Sequence, residues 1–182
     1  MVSFLTQSSH NEGAVTRAES TRAMSVGPRI LFTRFIDGAS PKLQPWLGHL
    51  RRVIPGFTAA SEGQPLDDGA VVWQLVSANN RQLARGTTVH GAFDEATADA
   101  QQVVASADLL EVQLVSENGR GDYGWYATID GVPALICARW YMTERDRLHS
   151  ITLALASVGR SEILPGARLM HPALMASADP ST

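Results

Sequence analysis

Apolar residues recur at spacings of three and four between positions 43 and 54, which is the period of one face of an α-helix. The positions on this stripe are Leu43, Trp46, Leu47, Leu50, Val53 and Ile54. Pro45 suits the first turn of a helix, and Pro55-Gly56 supplies a stop. The pattern therefore predicts a short amphipathic helix over residues 45–54. Its stripe needs a covering surface, which is the core of the same chain, a partner subunit or a membrane interface.

Two later segments share one order of local patterns when Trp73 is set over Trp125, an offset of 125 − 73 = 52 residues. Each starts with a strand whose side chains alternate between the two faces of a sheet. A tight turn follows, at Asn79-Asn80 in the first segment and at Asp130-Gly131 in the second. A return strand and a helix complete each segment, which indicates an internal repeat.

The helices and opening strands of the two segments also match. Thr143 with Asp146 three residues later resembles a capping box at the start of the second helix. The apolar positions on that helix are Leu148, Ile151, Leu155 and Val158, and those on the first are Phe93, Ala96, Ala100, Val103 and Val104. A strand precedes each Trp, clearly over residues 111–116 and weakly over residues 57–61. Each unit is therefore predicted as three strands and a helix, with two units sharing one sheet.

The second segment resembles the YegP-like family, also called DUF1508. The positions that carry the resemblance are Gly121, Trp125, Asp130, Gly131, Tyr141, Ile151 and Val158, and those that echo it in the first segment are Trp73, Asn79, Gly86 and Val103 or Val104. The resemblance covers residues 57–163. It implies an α+β fold of tandem β(3)-α-β units on one antiparallel sheet, with the helices on one face and exchange of the last strand, for which residues 162–164 are the candidate. It implies no catalytic or binding residues.

The chain divides into five predicted regions. They are a flexible arm over 1–28, an amphipathic docking segment over 29–56, a first repeat over 57–108, a second repeat over 109–164 and a tail over 165–182. Within the docking segment, an apolar run over residues 30–36 fits a short strand or an anchor. The acidic, turn-rich stretch over residues 62–69 separates this region from the first repeat.

Composition narrows the class of protein. The 182 residues are 45% hydrophobic and 18% charged, which suits one small domain with a core. A net charge of -3 gives no basic footprint for nucleic acid. The single cysteine and the lack of an apolar leader point to the cytoplasm, and no apolar run is long enough to cross a membrane.

Signs of catalytic chemistry are weak. The Gly119-x-Gly121-x-x-Gly124 spacing matches a dinucleotide-binding fingerprint, which needs a helix directly after the glycines. Here a strand is predicted after them, which favours a hairpin loop. The five histidines show no metal-ligand spacing, and Cys137 lies in an apolar strand where a buried inert thiol is expected. We therefore expect neither an enzyme nor a bound cofactor or metal.

Arg139-Trp140-Tyr141 is the most suggestive local cluster, with Arg145 and Arg147 just beyond it. One interpretation puts an aromatic ring in the core and pairs the arginines with nearby carboxylates. The others are a protein interface and, more remotely, base stacking on single-stranded nucleic acid.

The sequence thus predicts a non-enzymatic interaction or scaffold subunit that docks through its N-terminal extension onto a protein partner or a second copy. The alternative is a binding module for a small ligand or single-stranded nucleic acid. The candidate partner-binding residues are Leu43, Trp46, Leu47, Leu50, Arg139, Trp140 and Tyr141. Peripheral contact with a membrane is a further expectation for the helix stripe.

Overall fold

A computed structural model describes residues 27–36, 38–57, 69–117 and 122–170 of the chain. These residues form an α+β fold with one sheet and three α-helices. The elements in chain order are β1 (Arg29–Phe35), α1 (Gln44–Val53), β2 (Ala70–Val76), β3 (Gln82–Gly86), α2 (Phe93–Ala105), β4 (Glu111–Glu117), β5 (Asp122–Ile129), β6 (Val132–Cys137), α3 (Glu144–Val158) and β7 (Glu162–Met170).

The sheet is mixed, which corrects the expectation of a wholly antiparallel one. Its strand order is β4-β5-β6-β3-β2-β1-β7, and β7 runs parallel to β1. The closing strand reaches Met170, well beyond the residues 162–164 expected for it. A register shift between Ile30 and Phe32 of β1 and the positive φ of Gly166 accompany Pro165 in this strand. An edge strand tolerates a proline at such an irregularity because its outer N–H groups need no partner.

β1 occupies the sheet position next to β2 and comes from the predicted docking segment. Phe57, the start of the weakly predicted opening strand, lies outside any strand, and residues 58–61 lie outside the described part of the chain. The same holds for residues 1–26 of the predicted arm and residues 171–182 of the predicted tail. The apolar run over 30–36 is therefore a strand of the sheet rather than a separate anchor.

The two tryptophans occupy comparable places. Trp73 lies on β2 and Trp125 on β5, and both side chains are fully buried. The indole Nε1 of Trp73 donates to Asp99 of α2, and that of Trp125 donates to Ser150 of α3, each at 2.6 Å. Each helix is therefore tied to the middle strand of an antiparallel three-stranded group.

The helices lie on both faces of the sheet. Leu135 of β6 pairs with Ala127 of β5 and with Gly86 of β3, so the faces carrying Trp125 and Trp73 are the same one. Helices α2 and α3 cover that face. Arg85 points to the opposite face and lies over the ring of Trp46 of α1, so α1 covers part of that other side.

The buried face of α3 differs from the predicted one. The residues it buries are Arg147, Ser150, Ala154, Ser157 and Val158, whereas Leu148 is half exposed. Trp125 occupies the space beneath the helix, so small side chains let the backbone approach and Ser150 accepts the indole N–H. The predicted cap is confirmed, because Thr143 Oγ1 accepts a hydrogen bond from the backbone N–H of Asp146.

Candidate functional site

The face of the sheet that carries α1 is only partly covered. Beside the helix lies an open groove of about 1040 Å³ above β1, β2 and β3. One wall is the start of α1, with Lys42 and Trp46, and the other is the irregular part of β7 over residues 164–168. Helix α1 is short and packs toward β5 and the end of β6, which leaves the β1–β3 side open.

Arg85 on the groove floor is a half-buried cation without an acidic partner. No carboxylate in the described part of the chain lies within ion-pair distance of it. Its Cζ lies 4.7 Å from the ring centroid of Trp46, and its Nε is buried without a hydrogen-bond partner. Burial lowers the pKa of this guanidinium because it removes the water that stabilises the charged form.

Amide side chains hold the floor around Arg85. Gln82 Nε2 donates to Gln74 Oε1 at 2.8 Å, and the Nη2 atom of Arg85 lies 3.5 Å from Gln82 Oε1. Gln74 also faces Arg85 directly across the β2–β3 pair. These contacts fix the position of the guanidinium but leave its positive charge without a balancing negative one.

The charged side chains in the described lining of the groove are all basic. Its described lining includes Lys42, Arg85 and Arg168 and contains no aspartate or glutamate. Helix α1 begins at the same wall, with no acidic residue in its first turn and no side-chain cap. Since the N-terminal end of a helix carries partial positive charge, α1 adds to the potential of the groove.

The structure separates the predicted partner-binding residues of α1. Trp46 lines the groove and is stacked by Arg85. Leu43, Leu47 and Leu50 are buried in the core of the same chain. The core is thus the surface that covers most of the stripe, and these three side chains offer little area to a partner or membrane.

The predicted Arg139-Trp140-Tyr141 cluster lies elsewhere on the surface. Tyr141 is buried and Arg139 is exposed. Trp140 is half-buried, and the Cζ atom of Arg52 lies 4.2 Å from its ring centroid. They border a shallow depression of about 260 Å³ that also includes Met142. A binding role for this cluster stays a prediction.

The charged neighbours of this cluster are partly in the core. Arg147 is buried, pairs with Glu144 at 2.7 Å and donates to the backbone carbonyl of Val115. The expected pairing of an arginine with a nearby carboxylate is confirmed for this residue. It removes Arg147 from any surface patch.

Cys137 and His49 form a close pair near the groove. The thiol is buried, and burial raises its pKa to about 11, so it stays protonated and unreactive near neutral pH. His49 Nε2 lies 2.7 Å from the carbonyl oxygen of Cys137 and 3.9 Å from its Sγ. Burial lowers the pKa of His49 despite this hydrogen bond, and the charges of Arg85 and Arg52 lower it further. A neutral imidazole that donates from Nε2 therefore ties α1 to the end of β6.

The groove residues carried no recognisable motif. Alternation along β3 and β2 puts Arg85 and Gln74 on one face, but a polar residue at such a position usually points to solvent. The available signal was a single arginine between two small residues, Ala84 and Gly86, on a strand that is buried apart from Arg85 and Gln82. Sequence reasoning did not identify Arg85, Gln74, Gln82 or Arg168.

Comparison with known proteins found no family model that matches this chain and no curated protein that matches it. The resemblance to the YegP-like family therefore rests only on sequence positions such as Gly121, Trp125 and Tyr141. In the described part of the chain, no group of three histidine, cysteine or acidic side chains could hold a metal ion. None of the helices described is long and apolar enough to span a membrane.

Proposed function

We propose that this protein is a binding module for an anionic ligand, which it holds in the groove above β1, β2 and β3. One observation carries the proposal: Arg85 is a half-buried guanidinium in the groove floor with no carboxylate near it in the described part of the chain. This proposal develops the small-ligand alternative from the sequence and places it at a different surface from the Arg139 cluster.

The energetics favour an anion over a neutral ligand. Burying a charge costs free energy unless an opposite charge compensates it, and the residues described around the groove include no carboxylate in its lining. Carboxylate and phosphate oxygens match the donor geometry of a guanidinium. The groove volume of about 1040 Å³ lies near the upper end of ligand pockets, roughly 300–1,000 Å³. A small organic anion therefore fits both its charge and its size.

The test uses a charged probe and its neutral counterpart. Octanoate should shift the Arg85 Nε–H signal in the nitrogen-15 NMR spectrum, whereas octanamide at the same concentration should not. Octyl phosphate, in a third arm, shows whether a phosphate head binds better than a carboxylate. Arg85→Gln should weaken octanoate binding at least tenfold, whereas Arg145→Gln, an exposed arginine outside the groove, should leave it unchanged. Equal binding of octanoate and octanamide, or full binding to Arg85→Gln, would overturn the proposal.

We also propose that the two halves of the sheet are copies of one three-stranded unit with a helix. Support comes from their matching details, since each Trp side chain donates a hydrogen bond to the helix that follows it. Each half also has one isolated β-bridge, Val71 with His90 in the first half and Tyr123 with Tyr141 in the second. Asn80 and Asp130 both adopt positive φ in the hairpin turns. An experimental structure in which the two halves fail to superpose would contradict this.

A second candidate function is self-association through the surface at Met142, within the predicted interaction role. Met142 is 75% exposed beside Arg139, and methionine and arginine are enriched in protein interfaces. Light scattering from micromolar to millimolar concentration tests it, with Met142→Asp as the variant that should abolish association. A monomer across that range removes this candidate. Location in the cytoplasm stays a proposal, supported by the lone cysteine, Cys137.

A further inference from the structure

A second arginine on the groove face lies across the sheet from Arg85. Arg168 of β7 pairs with Thr33 of β1, and Arg85 of β3 pairs with Gln74 of β2, which pairs with Leu31 of β1. Leu31 and Thr33 are two positions apart on one strand, so their side chains share a face. Arg85 and Arg168 therefore both rise from the floor or wall of the groove.

The separation of these two arginines follows from sheet geometry. They lie three strand spacings apart across the sheet and are offset by two residues along the strands, which puts their Cα atoms about 16 Å apart. Long side chains lean along a surface while keeping their charged heads in water. Two anionic groups separated by roughly 8–14 Å can therefore contact both guanidinium heads at once.

The side chains between the two arginines are uncharged. Gln74 and Leu31 lie on the floor, Thr33 lies beside Arg168, and Leu164 lies at the β7 wall. Arg168 is exposed, and no acid in the residues described lies within ion-pair distance of it. The groove thus has a positive group at each end and uncharged side chains in between.

We infer that the groove takes an elongated dianion with an uncharged middle, such as a long-chain dicarboxylate, with one anionic end at Arg85 and the other at Arg168. This inference rests on the proposed function, since it assigns Arg85 the same role. It adds the ligand class and a second contact residue. Arg85, the less exposed of the two, anchors either kind of anion, whereas Arg168 acts only on a ligand long enough to reach it.

Titration calorimetry with matched probes tests this inference. Sebacate and decanoate have the same number of carbons, but only sebacate is charged at both ends, and succinate is a dianion too short to span the groove. Wild-type protein should bind sebacate at least fivefold more tightly than decanoate or succinate, because one charge-assisted contact in a partly exposed groove is worth about that factor. Decanoate is used below the concentration at which it forms micelles.

Variants then separate the two ends. Arg168→Gln should reduce sebacate affinity to the level of decanoate and leave decanoate affinity unchanged, and Arg168→Glu should make sebacate the weaker ligand. Arg85→Gln should weaken both probes, and Arg145→Gln should affect neither. Because Arg168 is exposed, its variants should keep the wild-type circular dichroism spectrum.

The outcomes distinguish this inference from the proposed function. Equal affinities for sebacate and decanoate, both lost in Arg85→Gln and both kept in Arg168→Gln, would overturn the two-ended ligand and leave the anion groove standing. Failure of every probe to bind wild-type protein at 10 mM or so would overturn both.

Discussion

Of the glycines in the described part of the chain, Gly86 is the one where an added Cβ atom would make the shortest contacts. A Cβ atom there would lie 2.5 Å from both Cε2 and Nε1 of Trp73, far inside normal contact distance. The indole is fully buried and its Nε1 donates to Asp99, so it has no free direction in which to move. Gly86→Ala must therefore displace the ring, the strand or helix α2.

The cost can be worked out from these contacts. Overpacking a buried site costs about 1–3 kcal/mol. Displacing the indole weakens its hydrogen bond, which adds about 1 kcal/mol. Alanine also lowers the conformational entropy of the unfolded chain relative to glycine, which offsets about 0.4–1 kcal/mol of this cost. The free energy of unfolding should therefore fall by about 1–3.5 kcal/mol.

Gly48→Ala is the matched control. Gly48 lies on the exposed side of α1, and a Cβ atom there would have no neighbour within 4 Å. Alanine should stabilise this helix by about 0.5–1 kcal/mol. Equilibrium urea denaturation, followed by tryptophan fluorescence and circular dichroism, measures both variants.

A double-mutant cycle identifies the clash as the cause. Trp73→Phe removes the atoms that the new methyl group would meet, so Gly86→Ala should cost at least about 1 kcal/mol less in that background. The reasoning is refuted if Gly86→Ala lies within about 0.5 kcal/mol of wild type, or if its cost is the same with and without the indole.

Two further predictions concern the pair that ties α1 to β6. Burial lowers the pKa of His49 from its ordinary 6.5, so the unfolded chain binds more protons below pH 6.5 and stability should be complete above that pH and fall beneath it. Between pH 7.5 and 5.5, measured by urea denaturation, the free energy of unfolding should fall less for His49→Gln than for the wild-type protein. Equal falls in the two proteins would contradict the lowered pKa of His49. Cys137, whose thiol pKa is raised to about 11, should react with a thiol reagent at pH 8 only after denaturant is added. Fast labelling of the folded protein would contradict its burial.

The sequence predicted most of the local structure. The period of the apolar residues places α1 within one residue of its observed start and end, and Thr143 caps α3 as the Thr143–Asp146 spacing indicates. Asn80 and Asp130 take positive φ in the turns where asparagine and aspartate were expected. These features depend on backbone preferences and hydrogen bonds within a few residues, so the local sequence is sufficient to specify them.

The tertiary structure decided what covers each surface. The apolar pattern of α3 predicts Leu148 on the buried face, yet the bulk of Trp125 and its need for an acceptor turn Ser150 inward instead. The parallel pairing of β7 with β1 likewise depends on contacts between residues more than a hundred positions apart.

The groove shows the same limit for the candidate site. The alternation of side chains along β2 and β3 indicates that Arg85 shares a face with Gln74. Only the placement of α1 makes this arginine a half-buried cation. The sequence by itself therefore determined the helices and the tight turns of this protein. Packing alone fixed which faces would be covered, because burial depends on partners that are distant in the chain.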